Sequence, residues 1–346
     1  MVDKLKTPEY SNLPLFGRKW KVSVLVPKTP NVYSDNVSDY KAFVLSDSTI
    51  EDKALRVTFT VQKFGNVAVN YTEMSVYNVM PELEIMLAAC GTRVQIEAGY
   101  VNGNFGVIYD GAIFQPMWER EDHVTTKLTF KCIDTMDMIF ANHVETKGTA
   151  LDGQKNMLIQ MMAASRKPFQ VAHWSEGIVS NPLPRPKVFF DTPVWYLRKF
   201  AQQNGTLPTG IDRKIYMDRP QDTIPLGDAT KNALELSPGQ GGLIGWPQQT
   251  QDGIYLTCLL NPNITVFNPV PMLIKVKNRL IRQMEIPYNQ EPIARLDEDN
   301  MYRVLAVEHV GDTRGQDWYT KITGANQSME GTTATMYDTV QSTNYY

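Results

Sequence analysis

The segment from Gly242 to Tyr319 constrains the fold of this chain more than any other. It reads GLIGWPQQTQDGIYLTCLLNPNI and, after an interval, MYRVLAVEHVGDTRGQDWYTKI. Gly245-Trp246-Pro247 reads as a turn, followed by a polar run and a tight Asp252-Gly253 turn. Ile254 to Leu260 is β-prone and stops at Asn261-Pro262. Tyr302 to His309 is a further strand, Gly311-Asp312-Thr313-Arg314-Gly315 a polar turn, and Trp318 to Ile322 the return strand. In that turn Gly311 and Gly315 imply positive φ or close approach, while Asp312, Thr313 and Arg314 can satisfy turn amides. A β-module of this kind has walls and edges but no reactive group.

The N-terminal part, from about Trp20 to Thr146, is also built of strands. Trp20 to Val26 alternates apolar and polar residues as a half-buried strand does, and Leu55 to Gln62 and Tyr71 to Val79 repeat the pattern about a Gly65-Asn66 turn. Thr58, Thr60 and Gln62 therefore lie opposite Val57, Phe59 and Val61, and Gln95 and Glu97 opposite Val94, Ile96 and Ala98. Pro81 to Ala89 fits a short helix stopped by Gly91. A meander follows: Arg93 to Tyr100, Gly106 to Gln115 and Thr125 to Ile133. Its charged corner, Glu119 to Asp122, discourages edge pairing. Glycines 99, 103, 106 and 111 are read as turn and bulge residues, since their spacing is not that of a phosphate loop.

Between about Gly148 and Arg219 the period changes from two to 3.6. Asp152 to Arg166 carries Leu158, Met161 and Met162 on one helical face, with Met157 beside it. A second helix is capped by Asp191, holds Pro193 in its first turn, draws apolar surface from Val194, Leu197, Ala201 and the aromatics Trp195 and Phe200, and ends at Gly205. Asn181 to Pro186 is a stiff linker between the two, and Lys214 to Met217 a short strand. The reading is mainly β with an α/β insert. It divides the chain into an N-terminal arm (1–19), a first β domain (20–147), the insert (148–220), a second β domain (221–326) and a C-terminal tail (327–346).

With 346 residues the chain is long enough for two or three cores. A formal net charge of −3 gives no overall basic field to recruit nucleic acid, which argues against a DNA-binding factor. Cys90, Cys132 and Cys258 are far apart, with neither zinc spacing nor a disulfide framework, and read as buried reduced thiols. No apolar run approaches the roughly 18–20 residues that span a bilayer, and the first residues lack the apolar stretch of a signal peptide. The expectation is a protein made and used without export through a signal sequence.

Catalytic patterns are missing. His123, His143, His173 and His309 are dispersed, with no HxH, HxxxH or HExxH spacing. There is no nucleophile elbow, and Cys258 has no signature of a catalytic thiol. The carboxylate runs Glu119 to Asp122 and Asp297 to Asp299 sit on charged turns, not facing each other across a cleft as a glycosidase requires. His309 and Asp312 flank a turn without a nearby nucleophile. No cofactor or metal site is expected, and no catalytic residue.

The segments GLIGWPQQTQDGI, CLLNPNI and YRVLAVEHVGDTRGQDWYT, with the looser VQIEAGY, GVIYDGAI and TTKLTFKCIDT, resemble baseplate hub proteins of contractile-tailed bacteriophages. One local departure is Phe267 to Pro271, where that family usually carries Pro-Gly followed by a strand. The resemblance implies two tail-tube-like β-barrel domains flanking a small helical or mixed module. It also implies a homotrimer that adapts a six-fold tail tube to a three-fold spike and forms part of the DNA passage in the virion, after assembly in the host cytoplasm. The implied partners are further copies of the chain, a tail tube or tube-initiator protein, a spike protein, other baseplate proteins and a tape-measure protein, with genomic DNA passing through during ejection. Its signature residues for fold and assembly are Gly245, Trp246, Pro247, Leu259, Leu260, Asn261, Pro262, Gly311, Asp312, Arg314, Gly315, Trp318 and Tyr319. On the same reading Thr58, Thr60, Gln62, Gln95 and Glu97 face the lumen or a neighbouring chain, with the plain outer surface as the alternative. A hub with lytic activity, or a tail-associated muralytic enzyme, is the second reading. A secreted carbohydrate-binding β-protein is the third, and it needs an export signal.

Overall fold

A computed structural model of the chain describes residues 15–28, 37–50, 54–65, 70–80, 87, 91–134, 144–148, 153–164, 171–175, 177–182, 184–185, 187–191, 193–219, 233–249, 253–268, 271–277, 282–283 and 300–326. The expected helix at Pro81 to Ala89 lies outside them, except for Leu87, which is helical and buried. The tail from Ser328, Cys90, His143 and the Asp297 to Asp299 run also lie outside.

The first β section contains β1 (Arg18–Pro27), β2 (Tyr40–Asp47), β3 (Val57–Phe64), β4 (Tyr71–Tyr77), β5 (Arg93–Tyr100), β6 (Phe105–Arg120) and β7 (Thr126–Ile133). The insert follows with β8 (Val144–Gly148), α1 (Gln154–Ala164), β9 (Val171–Trp174), β10 (Lys187–Asp191), α2 (Pro193–Gln203), β11 (Leu207–Ile211) and β12 (Lys214–Asp218). The second β section has β13 (Leu234–Leu236), β14 (Leu243–Gln249), β15 (Gly253–Leu259), β16 (Leu273–Val276), β17 (Arg282–Gln283), β18 (Met301–Asp312) and β19 (Trp318–Asn326).

The two β sections form one 14-stranded sheet in the order β17-β14-β15-β19-β18-β3-β4-β7-β6-β5-β1-β2, with β16 on β18 and β13 on β16. Its junction is the antiparallel pairing of β18 with β3, from Ala306 opposite Phe64 to Asp312 opposite Thr58. The insert has its own sheets, β8 with β10 and β9-β12-β11, where β9 and β12 run parallel.

Strict alternation along β3 buries Val57, Phe59 and Val61 and leaves Thr58, Thr60 and Gln62 half-buried. β5 does the same with Val94, Ile96 and Ala98 against Gln95 and Glu97. These apolar sets join Val22, Val24, Met74, Val76 and Phe130 in a first core. Each enclosed Val, Ile, Met or Phe among them contributes about 1.5–3 kcal/mol. In the insert Met157, Leu158, Met161 and Met162 of α1 pack with Leu197, Phe200 and Ala201 of α2. A third core gathers Ile254, Leu256, Ile322 and Val304 with Ile211 and Tyr216 of the insert, and Tyr216 stacks on Phe267 at 4.6 Å.

Four local expectations are corrected. Gly245-Trp246-Pro247 is not a turn between elements but a bulge inside β14. Ile244 pairs with Thr257 and Gln248 with Tyr255, so three residues stand opposite Leu256 alone. Gly245 takes φ of 66°, and Pro247 has no amide to donate to the ladder. Gly311 lies within β18, paired with Phe59 and Trp318, so the turn begins only at Thr313. Glycines 106 and 111 lie inside β6, and the bulge between β5 and β6 falls at Ile108. Asp191 is the last residue of β10, opposite Val144, and α2 starts two residues later at Pro193.

Candidate functional site

The structure brings most of the signature residues together where the β18–β19 hairpin closes the first core. Trp318 is buried there, its ring edge-on to Phe59 at 5.5 Å and its Nε1 donating to Gly99 O at 3.3 Å. The Leu260 amide donates to Trp318 O at 3.3 Å, and the Asn261 amide donates to Thr320 Oγ1 at 3.2 Å. Asn261 Oδ1 accepts the Asn263 amide at 3.1 Å and Asn104 Nδ2 at 3.4 Å, while Pro262 lies over Gly106, whose missing Cβ would sit 3.5 Å from it. Leu259 pairs with Tyr319 on the neighbouring strand. The Leu259 to Pro262 stop and the Gly311 to Tyr319 turn are thus two sides of one joint. Gly245, Trp246 and Pro247 stand apart on β14 toward the sheet edge, with Trp246 57% exposed.

The turn is held by charge. Asp312 pairs with Arg56 at 2.8 Å and accepts the Arg314 amide at 2.9 Å. Burial works to raise its carboxyl, but Arg56 and the amides of Arg314 and Gly315 outweigh this and hold it below the usual carboxylate range. Arg314 Nη2 donates to Ala54 O at 2.9 Å. From the opposite side Arg18 donates to the carbonyls of Asp312 (2.7 Å), Gly315 (2.6 Å) and Gln316 (3.0 Å), with its guanidinium 5.5 Å from the Trp318 ring centre. Arg18 was missed in the sequence, where it fell in the terminal arm. Its only signal is its place two residues before an alternating strand.

The candidate lumen residues share one face of the continuous sheet, opposite the first core. One row across it reads Tyr319, Val310, Thr60, Glu73, Lys131, Gln115. The next reads Thr257, Lys321, Glu308, Gln62. Thr58 lies opposite Asp312 and Ser75. On the far side Gln95 lies between Ser23 and Asp110, and Glu97 between Lys21 and Val107. Basic residues here stand beside acidic ones. Lys321 pairs with Glu308 at 2.8 Å, Lys21 approaches Glu97 at 3.9 Å, Arg93 pairs with Asp110, and Lys131 is cross-strand from Glu73. Gln62 Nε2 donates to Glu308 Oε1 at 3.3 Å.

Nothing in this arrangement assembles a reactive centre. His309 is wholly buried, and desolvation, with Lys63 adding to it, lowers its pKa to about 3, leaving the ring neutral. Burial pushes the thiol of Cys258 up to about 12 and that of Cys132 further. Among the described residues no group of three or more His, Cys, Asp and Glu side chains is placed to hold a metal ion, and no helix is long and apolar enough to cross a membrane.

No protein-family model and no curated protein matches the sequence. Solved structures do match. A 43 kDa tail protein of prophage MuSo2 from Shewanella oneidensis aligns with a TM-score of 0.52 at 9% identity, over 89% of this chain and 98% of that one. A tail protein from Neisseria meningitidis MC58 gives 0.48 at 10% identity, over 92% and 99%. An Escherichia coli type VI secretion component, described as structurally similar to the T4 tail proteins gp27 and gp5, gives 0.47 at 8% identity, over 80% and 74%. The Shewanella protein and this chain share a fold along nearly their whole lengths.

Proposed function

We propose that the chain is a structural component of a phage tail baseplate hub. In this reading residues 20–147 and 221–326 are two tail-tube-like domains around the insert at 148–220. Three copies then form a ring with six such domains, joining a six-fold tube to a three-fold spike around the DNA passage. The observation that carries the reading is the fold shared end to end with a prophage tail protein. Fold alone assigns no chemistry, but an assembly role depends on fold more directly than catalysis does.

A second observation supports it. The sheet runs unbroken from the first β section into the second through β3 and β18, and presents one polar, charge-paired face across both. A wall around passing DNA has that character, whereas an enzyme needs a cleft with poised groups. The chain acts without catalysis in this reading, and purified protein gives no clearing in a peptidoglycan zymogram above a buffer control. Native mass spectrometry or cryo-electron microscopy of assembled tails tests the ring itself. Three copies per baseplate are expected, and one or six would overturn the proposal.

A further inference from the structure

The β11–β12 hairpin joins the insert to the large sheet at two places, along β12 through the Tyr216–Phe267 stack and the buried Asp218–Arg303 pair, and at its tip. Asp212 and Arg213 both hold positive φ, 46° and 66°, the geometry of a two-residue hairpin turn. The tip is fastened from three directions. The Asp212 carboxylate pairs with Lys63, whose side chain is 3% exposed on the core face of β3, and accepts the Asp110 amide of β6 at 3.3 Å. The Asp212 amide donates to Asp134 Oδ2, just past β7, at 3.2 Å. Thr209 Oγ1 donates to Gly65 O at 2.6 Å, and Asn70 Nδ2 donates to Gly210 O at 2.7 Å. Asp134 is itself buried and faces a second carboxylate across this joint.

We propose that the hairpin tip is a proton-dependent latch. The tip stays docked on the sheet while Asp134 carries a proton, and its docking loosens as that proton is lost.

The surroundings of Asp134 single it out. Desolvation raises its carboxyl well above the usual range and the Asp212 charge adds to this, while Lys63, the Asp212 amide and the Tyr109 hydroxyl oppose. The other groups packed there are Asp110, paired with Arg93, together with Cys132, Tyr216 and, through Lys63, His309. Burial pushes Cys132, Tyr109 and Tyr216 up and His309 down, so all four are neutral through the neutral range. A carboxyl raised by docking adds stability in full below its ordinary value, about 3.9, and that stability is lost as pH rises toward the docked-state value. Swinging the tip away hydrates Asp134 and releases one proton, so the opening constant grows by up to about tenfold per pH unit in that window.

The test is hydrogen exchange of the full chain between pH 5 and pH 8, read at the Gly210 to Ile215 amides and divided by the intrinsic amide rate at each pH. Opening of the tip should rise with pH, by at most about tenfold per unit. Asp134→Asn should fold with a tip whose opening does not change with pH, while strands β5 and β6 exchange alike in both proteins. A flat profile in the wild-type chain overturns the latch whether or not the variant folds. So does an unchanged slope in Asp134→Asn.

Discussion

His309 Nδ1 and Thr320 Oγ1 meet at 2.9 Å across one rung of β18 and β19, both side chains wholly enclosed. Because Thr320 Oγ1 also accepts the Asn261 amide, this rung ties the Leu259 to Pro262 stop to the C-terminal hairpin. The imidazole is neutral in the folded state, with its pKa lowered to about 3 by burial. Its contribution to stability is therefore complete above about 6.5, the unfolded value, and is lost as pH falls through that value toward 3, by up to about 1.4 kcal/mol per unit. Replacing it by Gln removes this proton uptake. Urea unfolding at pH 7.5, 6 and 5 should show the wild-type advantage over His309→Gln shrinking with acid, and a constant gap would contradict the neutral buried ring.

Gly311 is required for room. A Cβ there would run into the Phe59 ring, itself fixed edge-on against Trp318. Gly311→Val should cost about 1–3 kcal/mol through overpacking and lower the soluble yield. Gly315→Val meets the Asp312 side chain first, which can shift where the wedged Phe59 ring cannot, and should cost less. Arg314→Ala loses one exposed bond to Ala54 O and should stay within about 0.5 kcal/mol by thermal denaturation. Should Arg314→Ala fold normally yet block tail assembly, Arg314 is a docking residue and its role lies outside the fold.

Arg18 serves three carbonyls and one indole from a single planar group. Arg18→Ala should cost about 1–3 kcal/mol, since charged donors satisfy the turn's carbonyls from one side. Arg18→Lys should recover only part, because an ammonium cannot reproduce the fork that reaches Asp312, Gly315 and Gln316 together. Equal stability of the Lys variant and the wild type in chemical denaturation would show that charge alone matters here.

What was legible in the sequence was whatever a single period decides. Alternation placed Val57, Phe59 and Val61 in the core because a strand buries one face only, and the run of Met157, Leu158, Met161 and Met162 marked α1. Lys63 was missed altogether, because the sequence reading ends the strand at Gln62, although β3 runs on to Phe64 and buries this lysine. Its partner Asp212 lies on a separate element, and no local pattern joins them. Glycine misled at Gly245, at Gly311 and at Gly106 and Gly111 for one reason: it serves turns, bulges and close contacts alike. Gly245 makes a bulge where a turn was expected, and Gly311 clears space for Phe59 inside a strand, where the sequence allowed close approach but placed it in a turn. The polar sets were legible from alternation, whereas the joining of β18 to β3 that aligns them is a long-range pairing outside any local signal.

The polar face leads to the last prediction. Thr58, Thr60, Gln62, Gln95 and Glu97 lie on the same side of one sheet, away from the first core, in rows where Lys321, Lys131, Arg93 and Lys21 each stand beside an acidic residue. Unpaired Lys or Arg in a DNA passage would each add a phosphate contact and hold the genome back. A face whose positive charges are already matched avoids that drag while staying wetted. In the assembled ring this face is expected to line the lumen or meet the neighbouring chain, with Val57, Phe59 and Val61 enclosed. Adding charge tests the same point: Thr60→Lys with Gln62→Lys should leave the fold intact, since both positions are half-buried on the polar side, and slow DNA ejection in a salt-dependent manner. Ejection at the wild-type rate with these residues shown to face the lumen, or a ring with this face turned outward to solvent, would defeat the assignment.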